Sequence, residues 1–158
     1  MKIIFISDKS YPVFEVYDEN KKLIHIKIDH ETRAFRIMCN DNRRVFFIEN
    51  EMIKKTEITT LLNEYSQQLG FLTKSKLDIS MGEIEIDGTQ YKYKMKDGLS
   101  KEINLFEHNN FQPILSCKLE MEQLSFLNKD YISYLLFGLV WFLFLTRKQE
   151  TPVQLAEA

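Results

Sequence analysis

From residue 2 to 120, hydrophobic and polar residues alternate with period two along most of the chain. Successive side chains of a strand point to opposite faces, so this alternation marks strands with one buried and one wet face. Leu23 to Ile28 is the clearest case. Ile24, Ile26 and Ile28 share one face, while His25 and Lys27 share the other. Ile3 to Ile6 reads as a short apolar strand, and Phe14 and Val16 alternate with Glu15 and Tyr17. Ile103 to Phe106 and Pro113 to Leu119 supply two more strands.

Between these runs lie turn signals. Asp18-Glu19-Asn20-Lys21-Lys22 joins FEVY to LIHIKI, and Asn40-Asp41-Asn42-Arg43-Arg44 joins FRIMC to VFFIE. In each turn an Asn sits where the chain needs positive φ, and two basic residues follow. The pair reads as a repeated meander unit. In GEIEIDGTQYKYKM, Asp87-Gly88 suits a two-residue type I′ turn. That register sets Ile86 against Thr89 and Ile84 against Tyr91 on one face, with Glu83 against Lys92 and Glu85 against Gln90 on the other. Glu57 to Lys74 fits two templates. Ile58, Leu61, Leu62, Tyr65 and Leu69 follow helical spacing, but the same stretch reads as strand ITTLL, turn NEYS and strand QQLGFLT. The β-branched Ile58, Thr59 and Thr60 and the surrounding strands favour the hairpin.

The pattern changes at Tyr131. The run YISYLLFGLVWFLFLT, ending at Thr146, carries no charge, and Leu135 to Leu145 has no polar side chain on any helical face. A surface helix keeps one wet face, so this helix must be enclosed on all sides. As a helix the run would span about 24 Å, short of a bilayer core of about 30 Å. Arg147-Lys148 would hold its far end in the cytoplasm and put the rest of the chain on the other side, where nothing else places it. The expectation is therefore a helix buried in protein, and the alternative a single-pass anchor over 131–146. Counting generously gives about ten to twelve strands. An eight-stranded barrel is filled by its own side chains, and enclosing a helix takes more strands than that. The fold class expected is mainly β, a barrel of about twelve antiparallel strands enclosing one C-terminal hydrophobic α-helix. It would form a single domain over residues 1–148, with the helix at about 130–147 and a polar tail over 149–158.

Composition narrows the class without naming a reaction. At 158 residues with 44% hydrophobic and 28% charged content, the chain supports one globular domain. A net charge of −2 offers no bulk attraction to nucleic acid. The two cysteines, Cys39 and Cys117, fit neither a metal spacing nor a disulfide framework. The start, MKIIFISDKS, is too short an apolar run for a secretory signal, and no lipidation motif stands at either end. A cytoplasmic setting is expected, with a peripheral membrane location or a single-pass membrane protein as alternatives.

The segments FEVYDENKKLIHIKI, LLNEYSQQLGFLTK, GEIEIDGTQYKYKM and NKDYISYLLFGLVWFLFL together resemble the tubby C-terminal-like superfamily, which includes tubby domains, LURP-one-related proteins and phospholipid scramblases. The resemblance is one of hydropathy and turn pattern over nearly the whole chain. It implies a twelve-stranded barrel around a central helix, and contact with membrane phospholipid. The chain lacks a long N-terminal extension and a cysteine cluster suited to multiple acylation. Scrambling and specific phosphoinositide binding are therefore not carried over.

No constellation specific for catalysis or a cofactor is present. His25 and His30 fall on opposite faces of a strand, and His108 lies in a polar turn with Asn109 and Asn110. Asp8, Glu49 and Glu51 could share a rim, as could any solvated edge. No metal spacing, phosphate loop or nucleophile elbow appears. The one pattern with a functional reading is basic. In an up-and-down meander the two similar turns share one end of the barrel, so Lys21, Lys22, Arg43 and Arg44 would lie close together. Four cations there could hold an anionic lipid headgroup or phosphate. The plain alternative is that they keep hairpin ends soluble. The expected function is a non-enzymatic barrel module binding an anionic phospholipid headgroup, a membrane surface or a protein partner. A membrane-anchored β-domain and an enzyme working at the barrel rim are the alternatives.

Overall fold

The computed structural model of the chain describes residues 1–6, 11–74, 80–97 and 101–157. Twelve strands precede one helix. They are β1 (Lys2–Ile6), β2 (Val13–Asp18), β3 (Lys21–Asp29), β4 (Ala34–Cys39), β5 (Asn42–Ile53) and β6 (Thr56–Asn63). Then follow β7 (Gln68–Lys74), β8 (Met81–Ile86), β9 (Thr89–Asp97), β10 (Lys101–Glu107), β11 (Pro113–Lys118) and β12 (Gln123–Phe126), and last α1 (Tyr131–Glu157). Each strand pairs antiparallel with its neighbours in sequence, and β1 meets β12 to close the barrel. The expected fold class is thus the observed one.

Local chemistry explains the hairpins. Glu19 and Asn20 both take positive φ, 49° and 69°, which is the type I′ geometry that follows strand twist. Asp87 and Gly88 do the same at 50° and 78°. The β8–β9 register sets Glu83 against Lys92, Ile84 against Tyr91, Glu85 against Gln90 and Ile86 against Thr89, as the pattern required. The stretch from Glu57 to Lys74 is a hairpin, β6 to β7. Its turn is organised by Asn63, whose Oδ1 accepts from the N–H groups of Tyr65 and Gln67 at 2.9 and 3.0 Å. A side chain that satisfies two turn amides outweighs a weak helical spacing.

Every residue from Ser133 to Phe144 is buried, so α1 has no wet face along this length. Inward strand residues meet it from around the wall. Trp141 stacks on Phe14 of β2 at 4.7 Å between centroids. Phe137 packs edge-on to both Phe14 and Phe126 of β12, and Phe142 tilts against Phe35 of β4. Burying each such aromatic is worth about 1.5–3 kcal/mol, which makes the helix the largest contributor to the core. The indole N–H of Trp141 turns toward the buried Cys117 thiol without reaching hydrogen-bonding geometry. Among the described residues, no helix is long and apolar enough to cross a membrane.

Two glycines make this packing possible. A Cβ at Gly138 would lie 3.0 Å from two ring carbons of Phe35, so the helix passes β4 closely only where it lacks a side chain. A Cβ at Gly82 would overlap the Tyr93 ring, its cross-strand partner, which fills the space inside the wall. The helix also runs further than expected. It continues to Glu157, through residues read from sequence as the tail. Gln149, Glu150, Gln154, Leu155 and Ala156 are good helix formers, and the buried segment supplies the nucleus that they lack alone.

Candidate functional site at the mouth of the barrel

The β2–β3, β4–β5 and β6–β7 turns lie at the end where α1 begins. The meander order sets this arrangement, and ion pairs cross it. Lys129, just before α1, pairs with Asp18 at the end of β2. Arg44 of β5 donates from Nε to Glu64 in the β6–β7 turn at 2.7 Å. Its guanidinium also lies 5.6 Å from the Phe46 ring centroid and 5.9 Å from that of Tyr131 in α1. Asp130 caps the helix by accepting the Ser133 N–H at 2.9 Å.

All four cations expected to form a site are at this end, but they divide between the faces of the wall. Positive φ falls on Asn20 in the first turn and on Asn40 in the second, so the two turns are not equivalent residue for residue. Arg43 and Arg44 therefore sit further into their strand than Lys21 and Lys22 do. A shift of one residue moves a side chain to the other face. Arg44 stands opposite the buried Ile37 and faces the interior at the mouth. Arg43 stands opposite Met38, in line with His25, and is exposed on the outer face. Lys22 points outward and reaches Glu15 at 3.4 Å, beside His25. Lys21 is exposed, opposite Asp18.

Arg44 lines a cleft of about 270 Å³ between the β4–β5 hairpin and the start of α1. Leu23, Ile37 and the Tyr134 ring give it an apolar wall, and Asn40, Asn42, Lys129 and Tyr131 a polar rim. The acids that pair with its two cations are ionised by that pairing. The Lys129 hydrogen bond holds the Asp18 carboxyl below its ordinary value. Burial pushes Glu64 up, but the Val45 N–H and Arg44 outweigh it and bring the carboxyl below its usual range. On the outer face, the Tyr17 hydroxyl is the main cause of the lowering at Glu15. Burial raises the Cys39 thiol and the Tyr131 and Tyr134 phenols, so these three groups are neutral at neutral pH beside the charged Arg44 and Lys129. The arrangement can bind an anion with an apolar portion, and it contains no base poised against an attacking group.

Glu49 and Glu51 are exposed on β5, while Asp8 lies outside the described residues. Among the described residues no group of acids, histidines and cysteines could hold a metal ion. His108 is exposed in the β10–β11 turn. His30 lies just past the end of β3, so strand alternation does not set its direction. Its ring lies 6.2 Å from Phe142 of the helix, and its buried Nδ1 has no hydrogen-bond partner. Burial holds it below the ordinary histidine value, with Asp29 opposing and Arg33 assisting. Lys129, Tyr131 and Tyr134 were not singled out from sequence. The signal was present, because a helix filling an even-stranded meander must start at the end where the β2–β3 and β4–β5 turns lie.

No protein-family model, curated protein or solved structure matches the chain significantly. The class that the geometry defines is a closed up-and-down antiparallel barrel of twelve strands around one C-terminal helix.

Proposed function

We propose that the protein is a non-enzymatic binding module of tubby-like type, whose barrel mouth takes an anionic lipid headgroup at a membrane surface. On this reading it works as a peripheral protein on the cytoplasmic side. The observation that carries it is the cleft beside α1, where Arg44 and Lys129 stand over an apolar wall. An amphiphile with an anionic head and a hydrophobic stem matches both parts. Each cation already has a carboxylate partner, so the headgroup would exchange with Glu64 or Asp18 rather than meet bare charge. Exposed Lys21 and Arg43 lie on the same end and would add long-range attraction at about 1 kcal/mol each near an anionic surface. The filled interior supports binding over catalysis, since α1 occupies the space that a barrel enzyme would give its substrate.

Co-sedimentation with phosphatidylcholine vesicles containing phosphatidylserine tests the reading. Replacing Lys21, Lys22, Arg43 and Arg44 together by Ser is expected to reduce binding at least tenfold, and Arg44→Ser alone to account for most of the loss. Unchanged binding of the quadruple variant would refute the lipid function.

A further inference from the structure

We propose a second binding site, separate from the mouth, in a groove of about 270 Å³ on the outer wall over β3, β4 and β5. It takes a small anion carried on a flat apolar body, such as an aryl phosphate.

Register places two cations side by side there. Lys27 of β3 stands directly opposite Arg36 of β4, and both point outward, since Ile26, Ile28, Phe35 and Ile37 on either side are buried. Like charges directly opposite in a sheet repel and weaken the pairing. Asp29, the carboxylate that lines the groove, compensates only in part. Its Oδ1 accepts from the N–H groups of Glu31 and Thr32 at 3.0 and 3.3 Å, and Arg36 is the weakest of the influences on its titration. Glu15, also on the outer face, is engaged by Tyr17, Lys22 and His25, and Glu49 is exposed on β5 two residues beyond Phe47 without lining the groove. With Lys27 and Arg36 against Asp29 alone, the residues that line the groove carry a net positive charge. Arg44 and Lys129 of the mouth cleft, by contrast, each pair with a carboxylate.

The rest of the groove specifies what carries the anion. Ala34 is only 5% exposed although it faces outward, because it forms the floor between taller neighbours. Phe47 stands opposite it on β5, and Tyr11 closes the other side with the Lys27 ammonium 4.5 Å from its ring centroid. A ring lying on Ala34 between Tyr11 and Phe47 would present its anionic substituent to the Arg36 fork and the Lys27 ammonium, a charge-assisted pair of contacts. The volume is at the small end for ligand sites, which favours a single ring.

The test is a calorimetric and NMR titration of the intact protein with phenyl phosphate and with inorganic phosphate. Phenyl phosphate is expected to bind more tightly than phosphate and to shift the amides of β3 and β4 around Lys27 and Arg36. Arg36→Gln should weaken phenyl phosphate about tenfold, the loss of one charge-assisted contact. Ala34→Leu fills the floor without changing charge, and should weaken phenyl phosphate while leaving phosphate unaffected. Arg44→Gln should change neither. The proposal is overturned if phosphate binds as tightly as phenyl phosphate, if Arg36→Gln and Lys27→Gln leave binding intact, or if Arg44→Gln abolishes it. Failure here leaves the mouth reading standing, because that rests on Arg44 and vesicles.

Discussion

Inside the barrel, Phe14 touches Phe5, Phe137 and Trp141 at once, and no side chain from Ser133 to Phe144 is more than slightly exposed. Outside, the chemistry is sparse. Lys22 meets Glu15 and Lys2 meets Glu122 on the wall, Arg44 meets Glu64 at the mouth, and each pair lies at or near the surface. The two regions answer to different physics. The interior is held by summed burial and close packing, where one misplaced charge or atom is felt by many neighbours. The exterior is held by pairs worth little each in water, so its groups are free to serve binding. Function should therefore be removable from the wall without loss of the fold, whereas the helix should tolerate almost nothing.

The largest break in that contrast comes from charge in the core. Leu139 is fully buried, and Leu139→Asp would leave an unpaired carboxylate among aromatics at a cost of several kcal/mol. Loss of cooperative thermal unfolding is expected for it, while Arg36→Gln on the wall should shift the midpoint by no more than a few degrees. Next comes volume. Gly138→Leu must push into the Phe35 ring, already 3.0 Å from where a Cβ would stand. Denaturant titration should show a loss of about 1–3 kcal/mol, typical of overpacking.

Acid should give the smallest and most graded effect, because it acts on the exterior. Glu15, Asp18 and Glu64 titrate below their ordinary values in the folded protein. Their stabilising effect is present above the unfolded carboxylate range of about 4 and is lost as pH falls through the folded values. His30 also titrates low in the fold, so protons bind the unfolded chain more readily below about pH 6.5, and stability declines there as well. Melting curves from pH 7 to 3 should show both steps, each a few degrees in size. His30→Gln should remove the upper step alone, and a flat profile through pH 5 in the native chain would remove His30 from the account.

The fold was largely legible because its signals are strong and redundant. A charge-free apolar run demands enclosure, and period-two strands with turns between them provide it. Asp87-Gly88 fixed a register that the pairing confirms at every position named. The mouth was legible only as an end of the barrel. Two turns that look alike in sequence place positive φ differently, so which face each cation takes depends on a single residue of register. The outer groove was not legible at all. Lys27 and Arg36 belong to different strands, and their opposition exists only once β3 and β4 are paired. His30 was hidden for a similar reason, since its surroundings come from Phe142, far along the chain.

The measurement closest to the central claim is a comparison of the full-length chain with one ending after Asn128. If α1 is the core of the barrel, the shorter chain has lost the helix partners of Phe14, Phe35, Phe46 and Phe126. It should then be aggregated or molten, without a cooperative transition, while full length unfolds sharply. A shorter chain that stays soluble and melts cooperatively would show that the strands close on themselves without the helix, and would contradict the account.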